Sequence, residues 1–193
     1  MTSQIALTQS EVEALAAKAT KGSGLPWGIA EEAAFVARWF HMRGVDILTT
    51  LAQHLDWIEG REWEGLVNGN APLSALCYGP TLGDFLGTET VYSLDPTLDP
   101  ILLLPFIDAA AEARHIEFAV LVDGAVIDQK TCVRDCNRVE VTTAPCNYSR
   151  TLGTPPLYPE TTQKSLENRA FATYVPATEA SRAGAGSDLS DND

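Results

Sequence analysis

Apolar residues in the first third of the chain recur every three to four positions, the period of an amphipathic helix. After a capping-box spacing, this pattern predicts a first helix from about residue 9 to residue 20. A second helix is predicted after Gly28, with Glu31 and Glu32 in its first turn, where the helix dipole favours acidic side chains. The same period predicts a third helix over residues 46–57. The chain therefore begins with a helical half.

The middle of the chain has a weaker pattern. Residues 59–98 are rich in Gly, Pro and Thr without a sustained period, which predicts loops with a short helix around residues 83–86. Residues 99–114 are predicted to form a helix, because the opening Asp-Pro pair is tolerated there and several alanines follow. A last helix is predicted over residues 160–173.

Strand patterns begin after the alanine-rich segment. Residues 116–122 are β-branched and apolar, and the Asp123-Gly124 pair that follows is a strong signal for a two-residue hairpin turn. Residues 125–129 can pair back on the first strand. Residues 137–143 alternate with period two, which predicts a third antiparallel strand.

These elements together predict an α+β fold. We expect an N-terminal helical half packed on a small antiparallel sheet built from residues 116–143, followed by a C-terminal helix and a tail. Segregated helices and hairpins favour this class over a doubly wound sheet. Residues 1–176 are predicted to form a single domain, and residues 177–193 a tail rich in Gly, Ala and Asp.

Charge and hydropathy exclude two classes of partner. Lys and Arg number 13 against 26 acidic residues, a net charge of -13 that repels nucleic acid and anionic membranes. The most apolar stretch, residues 101–107, is too short to span a bilayer and contains Pro105. We therefore expect no nucleic-acid partner and no membrane association.

Four cysteines are present, and the N-terminal residues show no export signal. We therefore expect a cytoplasmic protein whose cysteines are thiols rather than disulfides. The spacing C-x3-C-x9-C of Cys132, Cys136 and Cys146 matches no common zinc or iron–sulfur pattern. The sequence predicts no metal site and no cofactor.

His41 and His54 are the candidate catalytic residues, and they fall on successive predicted helices. Such a pair can move protons only if both rings face a shared pocket with a carboxylate behind them, and Asp46 and Asp56 are close enough in sequence to serve. The alternative, that these are ordinary histidines on a helix surface, stays open.

The tail contains the candidate ligand-binding residues Ser181, Arg182, Gly184 and Gly186. Arg182 offers a bidentate partner for a carboxylate or phosphate, and the glycines let backbone amides approach a ligand. The site requires that the preceding segment, residues 174–176, be anchored to the body of the protein. The alternative is a solvated tail without a ligand.

Residues 7–55 resemble the N-terminal helices of the type-2 malate and L-lactate dehydrogenases. The resemblance rests on Leu-Thr-x-x-Glu-Val at residue 7, Gly-Leu-Pro at residue 24, Ala-Glu-Glu-Ala-Ala at residue 30 and Arg-Gly-Val-Asp at residue 43. In that family the last motif continues into Ser-His-Gly, which includes an active-site histidine, whereas this chain has Ile-Leu-Thr. The resemblance therefore implies shared helix packing and not the reaction.

The whole chain also resembles an uncharacterised proteobacterial family known as a domain of unknown function. This resemblance includes the ending Tyr-Val-Pro-Ala-Thr-Glu-Ala-Ser-Arg-x-Gly-Ala-Gly and the terminal Asp-Asn-Asp. It implies no activity.

Two hypotheses for function follow. The first is a small-molecule-binding or accessory protein of a bacterial metabolic assembly, with a protein partner or a second copy on an apolar face. The second is a small metabolic enzyme acting on a carboxylated substrate, with Arg182 as anion clamp and His41 or His54 as general base. A carboxylated or phosphorylated small molecule is the expected ligand.

Overall fold

The computed structural model describes residues 3–68, 72–87 and 91–173. In this part of the chain it is an α+β protein, as predicted, in which short strands lie before, between and after the helices. The helices are α1 (Gln9–Gly22), α2 (Trp27–His41), α3 (Leu48–Ile58), α4 (Trp63–Val67), α5 (Ala75–Phe85), α6 (Leu104–Arg114) and α7 (Glu160–Phe171). A short 3₁₀ helix, Pro100–Leu103, precedes α6.

The strands form three small sheets. Their bounds are β1 (Gln4–Ala6), β2 (Leu73–Ser74), β3 (Val91–Leu94), β4 (Thr97–Leu98), β5 (Phe118–Val122), β6 (Ala125–Val126), β7 (Asp135–Cys136), β8 (Val139–Thr143) and β9 (Leu157–Pro159). The largest sheet is antiparallel in the order β3-β8-β5-β6. In the second sheet β4 lies between β2, which is parallel to it, and β7, which is antiparallel. β1 pairs antiparallel with β9.

Local signals correctly predict several elements. Thr8 caps α1 with a complete capping box, in which the Glu11 carboxylate accepts the Thr8 backbone N–H. Asp123 and Gly124 have φ angles of 48° and 82° and form the hairpin turn between β5 and β6, as their residue types predict. The helices α3, α6 and α7 also agree with prediction to within a few residues.

Three predictions about local structure are wrong. The helix α2 begins at Trp27, so Glu31 and Glu32 lie beyond its first turn. The described residues of the region 59–98 contain two helices and three short strands instead of loops, and the predicted short helix near residue 85 is the end of α5. Strand β6 is shorter than the predicted 125–129: its register with β5 covers Ala125 and Val126, and Ile127 adds one backbone hydrogen bond to Val120.

The helices and the sheets share one hydrophobic core. Helix α1 packs on α2 and α7, and α6 contacts both α5 and β5. Apolar side chains from helices and strands form one buried cluster that includes Phe40, Leu55, Leu103 and Phe118. In the described residues, no helix has the length and apolarity needed to cross a membrane.

Candidate functional site

His54 lies at the centre of a buried chain of three polar side chains. Its Nδ1 atom is 2.7 Å from Oδ2 of Asp99, and its Nε2 atom is 2.8 Å from Oγ of Ser74. His54 and Ser74 are completely buried, and Asp99 is 2 % exposed. A buried polar group is costly unless it is hydrogen-bonded, so this network is stable because its members satisfy one another.

Three elements bring these residues together. His54 projects from α3, Ser74 ends β2 and caps α5, and Asp99 follows β4 directly. The parallel pairing of β2 with β4 sets Ser74 opposite Leu98, the residue before Asp99. Non-local strand pairing therefore places the hydroxyl and the carboxylate on either side of the imidazole.

One assignment of the hydrogens satisfies every side chain of this network. The Oγ of Ser74 accepts the backbone N–H of Cys77 at 3.2 Å, which leaves the hydroxyl hydrogen free to be donated to Nε2 of His54. In this assignment Nε2 is the acceptor, and Nδ1–H donates to the Asp99 carboxylate. The atoms that meet here are those that meet in the Ser-His-Asp triad of serine hydrolases.

The backbone of Asp99 has a left-handed conformation. It has φ 50° and ψ 56°, the left-handed region that only Asn, Asp and Gly adopt readily. Its N–H donates to the backbone oxygen of Arg134 at 2.6 Å, which ties it to the segment before β7. Backbone strain of this kind persists where the surrounding structure holds it in place.

Asp99 is also the member of the network that borders a cavity. This cavity, about 130 Å³ in volume, lies between the start of α3 and the segment leading to β7, and Asp99 lines it whereas His54 and Ser74 do not. Two cationic side chains, Lys130 and Arg134, and a second carboxylate, Asp46, also line it. The cavity thus combines two positive and two negative groups in a small volume.

Arg134 is held at the cavity by two hydrogen bonds to one residue. Its Nη1 donates to Oε1 of Gln53, and its Nη2 donates to the backbone oxygen of Gln53, both at 3.1 Å. Gln53 directly precedes His54 on α3. Two neighbouring residues of α3 therefore position both groups: Gln53 holds the Arg134 guanidinium, and His54 contacts Asp99.

His41 has different surroundings. Its Nδ1 lies 2.8 Å from the hydroxyl of Tyr158, and the ring is 4 % exposed. Burial lowers the pKa of His41, and burial also raises the pKa of the Tyr158 phenol, so the phenol stays protonated and donates to Nδ1 of a neutral ring. His41 and His54 share no hydrogen-bond partner.

The carboxylates proposed to stand behind these histidines have other roles. Asp46, two residues before α3, accepts the backbone N–H and the hydroxyl of Thr49, and Asp56 pairs with Arg169 of α7. The expected arrangement of two histidines backed by Asp46 or Asp56 is therefore not the one observed. The carboxylate behind His54 is Asp99.

The remaining candidate residues are those of the tail and the four cysteines. Ser181, Arg182, Gly184 and Gly186 lie outside the described residues, as does the segment 174–176 that was expected to anchor them. The four cysteines are free, and no group of three or more potential metal ligands occurs in the part of the chain that the structure describes.

Sequence reasoning missed Ser74, Asp99, Lys130 and Arg134. Ser74 and Asp99 each precede a helix, so their residue types read as ordinary caps. Nothing local indicates that they meet His54, because the meeting depends on the parallel pairing of two-residue strands. A pairing this short leaves no periodic signal in the sequence.

Residues 7–71 match the model of a family described as Protein of unknown function (DUF3726). The match confirms, over these residues, the resemblance to a family of unknown function. It includes His41 and His54 and ends before Ser74 and Asp99. No curated protein and no solved structure matches the chain, so the resemblance to malate and lactate dehydrogenases has no support from these comparisons.

Proposed function

We propose that this protein binds a small carboxylated molecule in the cavity beside Asp99. The observation that carries the proposal is the position of Asp99, which lines the cavity and is backed inside the core by His54. Arg134, fixed by Gln53, supplies the planar donor group that pairs best with a carboxylate. This keeps the hypothesis of a small-molecule-binding protein and moves the ligand site from the tail to the core.

The cavity limits the size and charge of the ligand. Its volume of about 130 Å³ is well below the roughly 300 Å³ at which pockets for drug-sized ligands begin. Asp46 and Asp99 repel a dianionic phosphate, whereas Lys130 and Arg134 attract one negative group. The complementary ligand carries one carboxylate and one donor group, as a small amino acid or hydroxy acid does.

The buried network gives Asp99 a defined chemical role. The Nδ1–H of His54 donates to one carboxylate oxygen and balances part of its charge, so Asp99 accepts a hydrogen bond from a ligand ammonium or hydroxyl group. An acid–base step on the ligand is within reach of the same atoms, with Asp99 as the proton acceptor. The four free cysteines favour a reducing compartment such as the cytoplasm.

A thermal-shift screen tests this proposal. Glycine, L-alanine, L-serine and glycolate are the probes, and acetate and methylamine are controls that carry only one of the two groups. A probe at 100 times its Kd stabilises the folded state by about 2.7 kcal/mol, which raises the melting temperature. We expect the melting temperature to rise only with probes that carry both a carboxylate and a donor group. We expect no rise in the Asp99→Asn variant. Equal shifts with acetate, or equal shifts in the variant, contradict the proposal.

A second candidate function, acyl transfer, is favoured by the connectivity of Ser74, His54 and Asp99. In this reaction Oγ of Ser74 attacks the carbonyl carbon of an ester and its proton passes to Nε2 of His54. The leaving alcohol takes that proton as the C–O bond breaks, and water then hydrolyses the acyl-serine. The N-terminus of α5 offers backbone N–H groups to the developing oxyanion.

This second candidate requires a conformational opening, since His54 and Ser74 are completely buried. A fluorophosphonate probe, followed by peptide mapping, detects an exposed and activated serine. Acyl transfer predicts labelling of Ser74 that is lost in His54→Gln and kept in the control Ser93→Ala. If the exposed serines are labelled and Ser74 is not, at any temperature below unfolding, Ser74 is a helix cap and hydrogen-bond partner only.

A further inference from the structure

A groove between α2, α5 and α6 is separate from the Asp99 cavity, and none of the residues that the structure describes lines both. It consists of two cavities, of about 470 Å³ and about 350 Å³, which meet at Glu32 and Pro80. Each volume falls within the range of roughly 300–1,000 Å³ that is typical of sites for small molecules. The two cavities together are called the α2–α5 groove below.

The walls of the α2–α5 groove are largely apolar and aromatic. In the larger cavity the rings of Phe35 and Phe106 lie 5.8 Å apart, beside Ala109 and Ala113 of α6. In the smaller cavity the indole of Trp63 lines the wall and is 43 % exposed. Such surface buries the methylene groups of a ligand, and the face of an exposed indole attracts an ammonium group.

Three carboxylates are distributed over the α2–α5 groove. Asp84 lines the larger cavity, Glu31 lines the smaller one, and Glu32 lines both. Within the described residues, none of the three forms an ion pair. Arg114 is the one cationic side chain among the described lining residues, and its Nη2 donates to the backbone oxygen of Asp84 at 2.9 Å. The groove therefore has an excess of negative charge.

The carboxylates of the groove also repel one another. The pKa of Glu32 is raised above its ordinary value, mainly because partial burial disfavours the charged form, and further because Glu31 and Asp84 are near. A cation bound among these groups offsets the repulsion. The net charge of -13 on the whole chain attracts cations to the protein from a longer distance.

We propose that the α2–α5 groove binds a linear aliphatic polyamine. Because its carboxylates lie in two adjoining cavities, a ligand with several ammonium groups pairs with more than one of them. The methylene chain between the ammonium groups then covers the apolar wall. A compact metal ion matches the charge but leaves that wall exposed to water. A small amino acid, the ligand class proposed for the Asp99 cavity, is disfavoured here because its own carboxylate is repelled.

Isothermal titration calorimetry of the full-length chain with spermidine tests this inference. It is done at physiological ionic strength, because salt screens unspecific attraction to an acidic surface. Glu32→Gln removes the carboxylate that lines both cavities, and the matched control Asp95→Asn removes an exposed carboxylate outside the groove. Since the charge of Glu32 is disfavoured in the folded protein, Glu32→Gln should fold at least as well as wild type. We expect Kd to rise at least tenfold in Glu32→Gln and to stay within a factor of two in Asp95→Asn.

A second measurement compares ligands on the wild-type protein. We expect 1,4-butanediamine to bind at least fivefold more tightly than butylamine, which has one ammonium group, and Mg²⁺ at equal concentration not to displace spermidine. The Asp99→Asn variant should bind spermidine as wild type does, which separates this site from the Asp99 cavity.

Other results overturn the proposal. No detectable binding of spermidine overturns it directly, and the same Kd in wild type and Glu32→Gln shows that spermidine binds elsewhere on the acidic surface. Displacement by Mg²⁺, or equal affinity for butylamine and 1,4-butanediamine, shows that the groove does not recognise a polyamine chain. A lysine-rich helical peptide that binds more tightly than spermidine, and binds more weakly to Glu32→Gln, identifies a basic protein as the occupant instead.

Discussion

His54 and Asp99 are 45 residues apart in the sequence, yet Nδ1 of the histidine lies 2.7 Å from Oδ2 of the carboxylate inside the core. The pair connects α3 to the turn after β4, and through Ser74 to the start of α5. Asp99 borders a cavity and His54 does not, and the proposal takes the Asp99 carboxylate as the group that a ligand meets. This relationship underlies the proposed function.

Cys132 is predicted to be the most reactive thiol. It is exposed and lines the cavity, whereas burial raises the pKa of the Cys77 thiol to about 11 and also raises the pKa of Cys136. Iodoacetamide at pH 8 should therefore alkylate Cys132 before Cys77 or Cys136, as measured by peptide mass spectrometry. A ligand of the cavity should slow this alkylation. Equal modification of Cys77 in the folded protein would show that its helix opens readily.

His41 is predicted to make stability depend on pH. Burial is the main cause that lowers its pKa, so in the folded state the ring binds its proton only below the ordinary value of 6.5. Below pH 6.5 the unfolded chain binds more protons than the folded one, and the free energy of unfolding decreases until the pH passes the folded-state pKa. Urea unfolding at pH 7.5 and pH 5.5 should show a smaller decrease in His41→Gln than in wild type. An equal decrease of the free energy of unfolding in His41→Gln and in wild type would show that other titratable groups cause it.

Asp108 is predicted to be the most important carboxylate for stability outside the site. It accepts hydrogen bonds from Nε1 of Trp39, from Nη2 of Arg43 and from Nε of Arg150. Asp108→Ala removes the carboxylate that pairs with the largely buried Arg43, so urea unfolding should show a loss of about 3 kcal/mol. Arg150 is about half exposed, and Arg150→Ala should cost less than about 1 kcal/mol. Equal losses would mean that Arg43 finds another partner.

Two glycines provide a matched test of how closely α1 and α7 pack. Gly22→Ala brings a methyl group onto the Arg169 backbone and should destabilise by about 1–3 kcal/mol. At Gly28, in α2, an added Cβ meets nothing within 4 Å, so Gly28→Ala should be neutral or stabilise by up to about 1 kcal/mol. Thermal unfolding measures both. A neutral Gly22→Ala would show that the two helices separate easily.

Elements with a local cause could be predicted from the sequence. The capping box of Thr8 and Glu11 starts α1, and the positive φ angles of Asp123 and Gly124 make a hairpin turn wherever such a pair joins two strands. The sequence predicts only the last turn of α5, because this helix contains Gly79, Pro80 and Gly83, which are poor helix formers. It forms because Ser74 caps it and because Gly79 lets Phe106 pack against its backbone.

The site could be predicted only in part. His54 was identified, but as one of two histidines backed by Asp46 or Asp56, and its real partners come from distant elements. Ser74 and Asp99 meet it because β2 and β4 pair over two residues each, and Arg134 arrives through a backbone bond to Asp99. Contacts of this kind depend on tertiary packing, which the order of apolar and polar residues does not specify.

Isothermal titration calorimetry with the strongest probe from the screen tests the central claim, that the Asp99 cavity binds a small carboxylated molecule, most directly. Arg134→Ala removes the guanidinium that lines the cavity, and Arg138→Ala removes an exposed arginine that pairs with Glu140 outside it. We predict that Kd rises at least tenfold in Arg134→Ala, which corresponds to about 1.4 kcal/mol, and stays within a factor of two in Arg138→Ala. The same Kd in wild type and both variants would contradict the account.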